Sequence, residues 1–191
     1  LAAGVCAPGS PEYRAAADIA AQYPDIPFPS GWKANLRGVD LNLNYPARWE
    51  AARRIKKAQG VSTPAPRDFT GFSPLDQPET AALAAFTEAL DPALVLAYHT
   101  QGNVIYWKYL NFEPEGSRAL AERFAAVSGY TCEDTPYASG FAGYKAWFIQ
   151  NFDRPGYTIE CGRGENPLPL SQFESIWNAN LGILTRAALG I

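Results

Sequence analysis

The chain predicts a single α/β domain with a mostly parallel or mixed sheet, and three observations carry that expectation. Stretches of strand length stand at 93–97, 104–107, 130–134 and 156–159, the first of them a continuous apolar run. Amphipathic stretches of helix length alternate with them, without internal repeats. Gly and Pro stand at 16 each, which favours turns and long shaped loops over a helical bundle. A length of 191 residues suits one domain with a sizeable core.

Taken in order, residues 1–9 read as the interior of a loop. Ser10-Pro11-Glu12 then supplies a helix start, with a capping hydroxyl, a proline at the first helical position and an early carboxylate. Tyr13, Ala16, Ala17, Ala20 and Tyr23 share one face of that helix, and Pro24 ends it. Residues 32–46 are dense in hydrogen-bonding side chains and poor in periodicity, which marks a functional loop anchored by Trp32, Tyr45 and Trp49. Arg53 to Lys57 is a basic run on a solvated helix face, and residues 63–74, with three prolines and Gly71, form an ordered irregular loop.

A second helix starts at Asp76-Gln77-Pro78-Glu79 with Leu83, Phe86 and Leu90 as its apolar stripe. Asp91-Pro92 stops it and leads into an apolar strand, 93–97, expected to be buried on both faces. After a second strand, 104–107, comes a third helix at 116–128 with Leu120, Phe124 and Val127 inward, and a short strand at 130–134. A glycine-rich loop at 136–143 feeds a short helix at 144–152. The 156–159 strand ends at Glu160. Ser171-Gln172-Phe173-Glu174 reads as a capping box opening a long helix, with Phe173, Ile176, Trp177, Leu181 and Leu184 toward the core.

Composition excludes several classes. At 47% hydrophobic and 18% charged residues the chain is an ordinary globular one, and a net charge of −3 without a basic aromatic patch argues against nucleic acid. No apolar run approaches the ~18 residues that span a bilayer. Cys6, Cys132 and Cys161 are an odd number without CxxC spacing, which argues against a disulfide framework and a thiolate zinc site. The sequence does not fix the compartment, although free cysteines lean toward a cytoplasmic setting. It does not fix the oligomeric state either.

Two strands end in residues that carry chemistry. His99, the single histidine, stands where the 93–97 strand ends, and Glu160 where the 156–159 strand ends. Ligands in open α/β sheets gather outside the carboxyl ends of strands. By itself His99 fits a metal ligand or a hydrogen-bonded core residue. A carboxylate at a buried strand end is costly unless paired or used; Glu160 fits a general base or a salt bridge to Arg163 or Lys145.

Gly38-Val39-Asp40-Leu41-Asn42, Tyr98-His99, Tyr137 and Thr158-Ile159-Glu160 occur in the order found in the zinc carboxypeptidase family. Trp32 to Asn35, Tyr98 to Gly102, Ser139 to Lys145 and Tyr157 to Gln172 resemble one bacterial branch, the γ-D-glutamyl-L-diamino acid endopeptidases that cut peptidoglycan stem peptides. The resemblance covers the chain from Pro8 onward. It implies a carboxypeptidase A-like fold, a mixed and mostly parallel sheet with helices on both faces, whose N-terminal strands are missing. It also implies a peptide or muropeptide substrate, His99 as the third protein ligand of a catalytic zinc, and Glu160 as the base that activates water and protonates the leaving amine. Tyr137 matches the mobile tyrosine that closes over substrate, and Asn42 the asparagine that hydrogen-bonds a substrate carboxylate.

Departures from the family pattern sharpen these expectations. The carboxylate-binding arginine after that asparagine is replaced by Leu43, which cannot grip a terminal carboxylate. The carbonyl-polarising arginine falls on Lys33, with Arg37 as the rival if the loop shifts. Lys145 falls near the pocket position that selects the substrate side chain, and a cation there suits a carboxylate-bearing group. Arg163, just past the base, is a further substrate-binding candidate. The family's upstream His-x-x-Glu is absent and there is no second histidine, so the chain is expected to be the C-terminal portion of a family member. Its first zinc ligands would lie upstream of Leu1, and the 191 residues alone would be inactive. The alternatives are a true metallocarboxypeptidase that removes C-terminal residues, and a non-catalytic peptide-binding remnant.

Overall fold

A computed structural model describes residues 7–190. The chain divides into two compact units, one formed by Leu1–Leu90 with Phe141–Gly143 and the other by Asp91–Gly140 with Tyr144–Ile191.

The first unit is helices and shaped loops. Helix α1 spans Pro11–Ala20, and Ser10 caps it by accepting a hydrogen bond from the Tyr13 amide at 3.1 Å. Helix α2 spans Trp49–Ala58. Its Lys56 pairs with Asp68 at 2.6 Å, while Arg53 lies over the Trp49 ring at 5.3 Å. Helix α3 spans Pro78–Leu90. A small apolar cluster of Val39, Ala65 and Phe69, flanked by Tyr23 and Val61, packs beneath the loops. The 141–143 segment joins this unit through hydrogen bonds from the Tyr45 amide to the Ala142 carbonyl (2.9 Å) and from the Ala142 amide to the Ala47 carbonyl (2.8 Å).

The second unit is a four-stranded sheet with helices on both faces. Strands β1 (Val95–His99), β2 (Val104–Tyr106), β3 (Thr131–Glu133) and β4 (Gly156–Glu160) lie in the order β1-β4-β2-β3. β1 and β4 are parallel, β2 and β3 are parallel, and β2 runs antiparallel to β4, so the sheet is mixed and mostly parallel as expected. Helices α4 (Ser117–Ser128) and α6 (Phe173–Leu189) cover one face. There Ile105, Phe124, Tyr157, Ile159 and Ile183 are all fully buried, with Phe124 edge-on to Tyr157 at 5.1 Å. Helix α5 (Tyr144–Phe152) covers the other face. Gly156 permits that approach, because a Cβ there would meet Ile149 at 3.1 Å and Lys145 at 3.3 Å.

Several expectations about burial are corrected. The strand expected at 93–97 with both faces buried is Val95–His99, and only Val95 is buried in it. It lies at the sheet edge, paired on one side, so its flanks are only partly covered. Leu83, Phe86 and Leu90 of α3 are exposed, and the buried face is Thr80, Ala84 and Thr87, where small residues pack closely and the Thr80 hydroxyl has a buried partner.

On α6 only Ile176 of the expected stripe packs against the core. Phe173, Trp177, Leu181 and Leu184 are exposed, and Asn180 and Ile183 take the inner face. The Asn180 amide earns its place there by donating to the Tyr130 hydroxyl at 2.9 Å and the Ile176 carbonyl at 2.8 Å. Val127 of α4 is exposed, with Ala121 inward instead. The capping box does not form: Leu170–Gln172 make a 3-10 turn, Gln172 precedes α6 in helical geometry, and no side chain caps it.

Cys161 is buried and Cys132 half-buried, both as free thiols, and burial raises the pKa of each. Cys6 and the first part of the expected N-terminal loop lie outside the described residues. No helix among the described residues is long and apolar enough to cross a membrane.

Candidate active site

In the second unit the sheet register places the two expected chemical residues together. His99 and Glu160 are register partners at the carboxyl ends of the parallel pair β1 and β4. Residues paired in register on parallel strands project from the same face about 5 Å apart. That face is the α5 side, because Gly156, two pleats before Glu160, abuts α5. Both side chains are half-buried.

The turn after His99 is held tightly. The Cys161 amide donates to the His99 carbonyl and the Gly102 amide to the Gly162 carbonyl, both at 2.8 Å. The Asn166 amide group donates to the Thr100 carbonyl at 3.0 Å, and the Thr100–Gln101 peptide is cis. Gly102 has φ +150°, a backbone conformation that side-chain-bearing residues rarely adopt, and a Cβ on it would press within 3.2 Å of Val104.

Lys145 lies beside Gly156, four residues or about 13 Å along β4 from Glu160. It is 6% exposed, and its ammonium donates to the Lys108 carbonyl at 2.9 Å and the Thr135 hydroxyl at 2.6 Å. Burial pulls its pKa down to about 7. Tyr137 opens a 3-10 turn, Tyr137–Ser139, and is 69% exposed. Arg163 is exposed, and its main chain is clasped on both sides by the Gln172 side chain at 3.1 and 2.8 Å.

The first unit carries Lys33, Arg37 and Asn42, all exposed. The amides of Lys33 and Ala34 both donate to the Pro66 carbonyl, at 2.8 and 3.0 Å. Asn35 organises the next turn: its side-chain oxygen accepts from the Arg37 and Val39 amides at 3.0 and 3.1 Å, and its amide donates to Gln77 at 3.0 Å. Asp40 caps the 3-10 turn Leu41–Leu43 by accepting from the Asn42 amide, and burial raises its pKa. The Trp49 indole donates to the Thr70 carbonyl at 3.0 Å, tying the start of α2 to the 63–74 loop.

Sequence reading missed the residue beneath this loop. Asn44 is fully buried; its amide reaches the Thr70 and Ser73 carbonyls and the Asp76 carboxylate at 2.8–3.1 Å, and its oxygen accepts from Thr80 at 2.6 Å. Its partners lie 26 to 36 positions away, beyond any local spacing signal. Thr135 was missed for the same reason.

This is an α/β protein with a histidine and a carboxylate outside the ends of two adjacent parallel strands. The zinc carboxypeptidase family profile matches residues 20–182, and the chain belongs to that family of zinc metallopeptidases. It is 51% identical over 154 residues to γ-D-glutamyl-L-diamino acid endopeptidase 1 of Lysinibacillus sphaericus, a match covering 81% of this chain and 37% of the relative. It is 37% identical over 73 residues to murein peptide amidase A of Escherichia coli K12, covering 36% of this chain and 29% of the relative. The chain therefore spans well under half the length of these relatives. The structure of carboxypeptidase A from Helicoverpa armigera shares the fold, with a TM-score of 0.60 at 18% identity over 79% of this chain and 42% of that one.

A catalytic zinc takes three protein ligands and leaves one position open. Among the described residues no three His, Cys, Asp or Glu side chains converge, so this donor set does not make a zinc site on its own.

Proposed function

We propose that this chain supplies the general base and one metal ligand of a peptidase that hydrolyses the γ-D-glutamyl to diamino acid amide bond of peptidoglycan stem peptides. The observation that carries the reading is the in-register pairing of His99 with Glu160 at the carboxyl ends of adjacent parallel strands. The name of the Lysinibacillus relative supplies the bond.

In this reading His99 is a metal ligand. Glu160 takes a proton from the attacking water and returns it to the leaving amine. Lys33, with Arg37 as its rival, offers positive charge to the developing oxyanion. Asn42 and Arg163 hold polar groups of the substrate, and Tyr137 closes over it. Lys145 meets a substrate carboxylate, an anion that its buried ammonium lacks among its present neutral partners. Leu43 in place of a carboxylate-gripping arginine favours an enzyme that tolerates chain beyond the cut over one that trims free C-termini.

The 191 residues alone are inactive, because one imidazole does not hold a catalytic metal. The test assays this chain, and a longer protein containing it together with a His-x-x-Glu segment, on a muropeptide with zinc. The longer protein turns over and its Glu160→Gln variant loses about 10³-fold. Robust turnover by the 191 residues alone overturns the inactivity, and cleavage abolished by C-terminal amidation favours the carboxypeptidase reading.

A further inference from the structure

Among the described residues, β1 has a strand neighbour on one side only. The Val95 amide donates to the Pro155 carbonyl at 3.2 Å, and the His99 carbonyl accepts from the Cys161 amide at 2.8 Å. Val95, Ala97 and His99 therefore turn their main-chain groups toward β4. These groups alternate along a strand, so the N–H and C=O of Leu96 and Tyr98 point to the open edge. The strand, Val-Leu-Ala-Tyr-His, carries neither the lysine nor the proline that commonly blunts such an edge.

The side chains of Leu96 and Tyr98 lie on the face that α6 covers. Leu96 packs on the core cluster there, and Tyr98 lines a cavity of about 220 Å³ with Phe173, Trp177 and Leu184. Phe173, Trp177, Leu181 and Leu184 follow at helical spacing and form one stripe of α6, from 38% to 65% exposed, beside a Tyr98 that is 43% exposed. No charged residue stands in α6 between Glu174 and Arg186. At roughly 100 Å² each, these five side chains offer about 500 Å² of apolar surface. The strand edge and Ala188 bring the face toward the ~800 Å² per partner that a stable interface buries.

We propose that this face docks a second copy of the chain about a two-fold axis that passes through Ala97, normal to the sheet. The rotation runs β1 antiparallel to β1 of the second copy. Leu96 then meets Tyr98 of that copy, and Tyr98 its Leu96, each pair exchanging both main-chain hydrogen bonds. Ala97, with its small side chain, falls at the axis. An axis normal to the sheet keeps both α6 helices on one face and antiparallel, so their apolar stripes meet above the joined strands. One operation thus satisfies the strand edge and the helix stripe together, as a self-complementary two-fold patch requires. The inference does not rest on the peptidase reading.

Sedimentation of the 191-residue chain between about 1 and about 100 μM tests it. A reversible dimer is expected, and Leu181→Lys, a change at an open position, weakens it about a hundredfold while leaving the urea midpoint in place. Trp177→Glu, at a second open position, does the same. Hydrogen exchange reads the strand: the Leu96 and Tyr98 amides are protected in the dimer and exchange fast in the Leu181→Lys monomer, while the Ala97 and His99 amides, bonded to β4, stay protected in both.

A chain still monomeric at about 100 μM overturns the proposal, as does association that both folded variants leave intact. A dimer whose Leu96 and Tyr98 amides exchange as fast as in the monomer overturns the strand pairing. A longer polypeptide that is monomeric yet protects those two amides covers the edge with its own chain and overturns the second copy as occupant.

Discussion

The two units solve the same problem, holding candidate chemistry in place, by different means. In the second, a sheet and an apolar core fix His99 and Glu160: register sets their spacing and Phe124, Tyr157 and Ile159 stiffen the strands behind them. In the first, Lys33, Arg37 and Asn42 ride on irregular backbone, and order comes from polar side chains packed beneath it, above all the buried Asn44 and the half-buried Asp40. An apolar core tolerates gradual loss of contact. A buried polar network fails when one partner is removed, because the others are left without hydrogen bonds.

Substitutions separate these modes. The largest expected loss is in the sheet unit, where Phe124→Ala costs about 4 kcal/mol by leaving a cavity under β4, read from urea denaturation. In the loop unit Asn44→Leu is close in volume yet costs about 3 kcal/mol, since the Asp76 carboxylate, the Thr80 hydroxyl and the Thr70 carbonyl each lose one of their hydrogen bonds in a buried place. A loss under 1 kcal/mol there would show that packing, and not the network, orders the loop.

Lys145 gives a pH signature next in size. Its pKa is about 7 when folded against an ordinary 10.5, so above pH 7 the unfolded chain binds a proton that the folded chain gives up. Stability from this group is fully present above pH 10.5 and lost as pH falls to 7. Between pH 7 and 9 the wild type gains about 2 kcal/mol relative to Lys145→Met. Measuring the difference between the two cancels the tyrosines Tyr98 and Tyr130, whose pKa values partial desolvation pushes up to about 12. The smallest effect is at the first unit's edge, where Ser10→Ala costs about 1 kcal/mol through the lost cap of α1.

The sheet unit was the more legible in sequence. Strands 104–106 and 156–160, the short helix 144–152 and the placement of His99 and Glu160 at strand ends all follow from apolar runs and their punctuation. Periodicity failed where two stripes competed. On α6 the more apolar row, Phe173, Trp177, Leu181 and Leu184, faces outward, while the row with polar Asn180 faces in because that amide finds the Tyr130 hydroxyl. On α3 the same inversion follows from the Thr80 hydroxyl bonding Asn44. A sequence pattern counts apolar residues and does not see a polar residue whose partner is thirty or more positions away. The roles of Lys33, Arg37 and Asn42 were reachable through family resemblance alone, since no local spacing marks them.

The strand order carries a consequence in time. β1 and β2 are consecutive in the chain yet do not pair; β4, some sixty residues later, lies between them. Closing a loop of that length costs entropy before any pairing returns it. During synthesis β1 and β2 therefore wait without their common neighbour until the ribosome has made residues 156–160. His99 meets Glu160 only at that last insertion, so the pair is among the final features of the second unit to form.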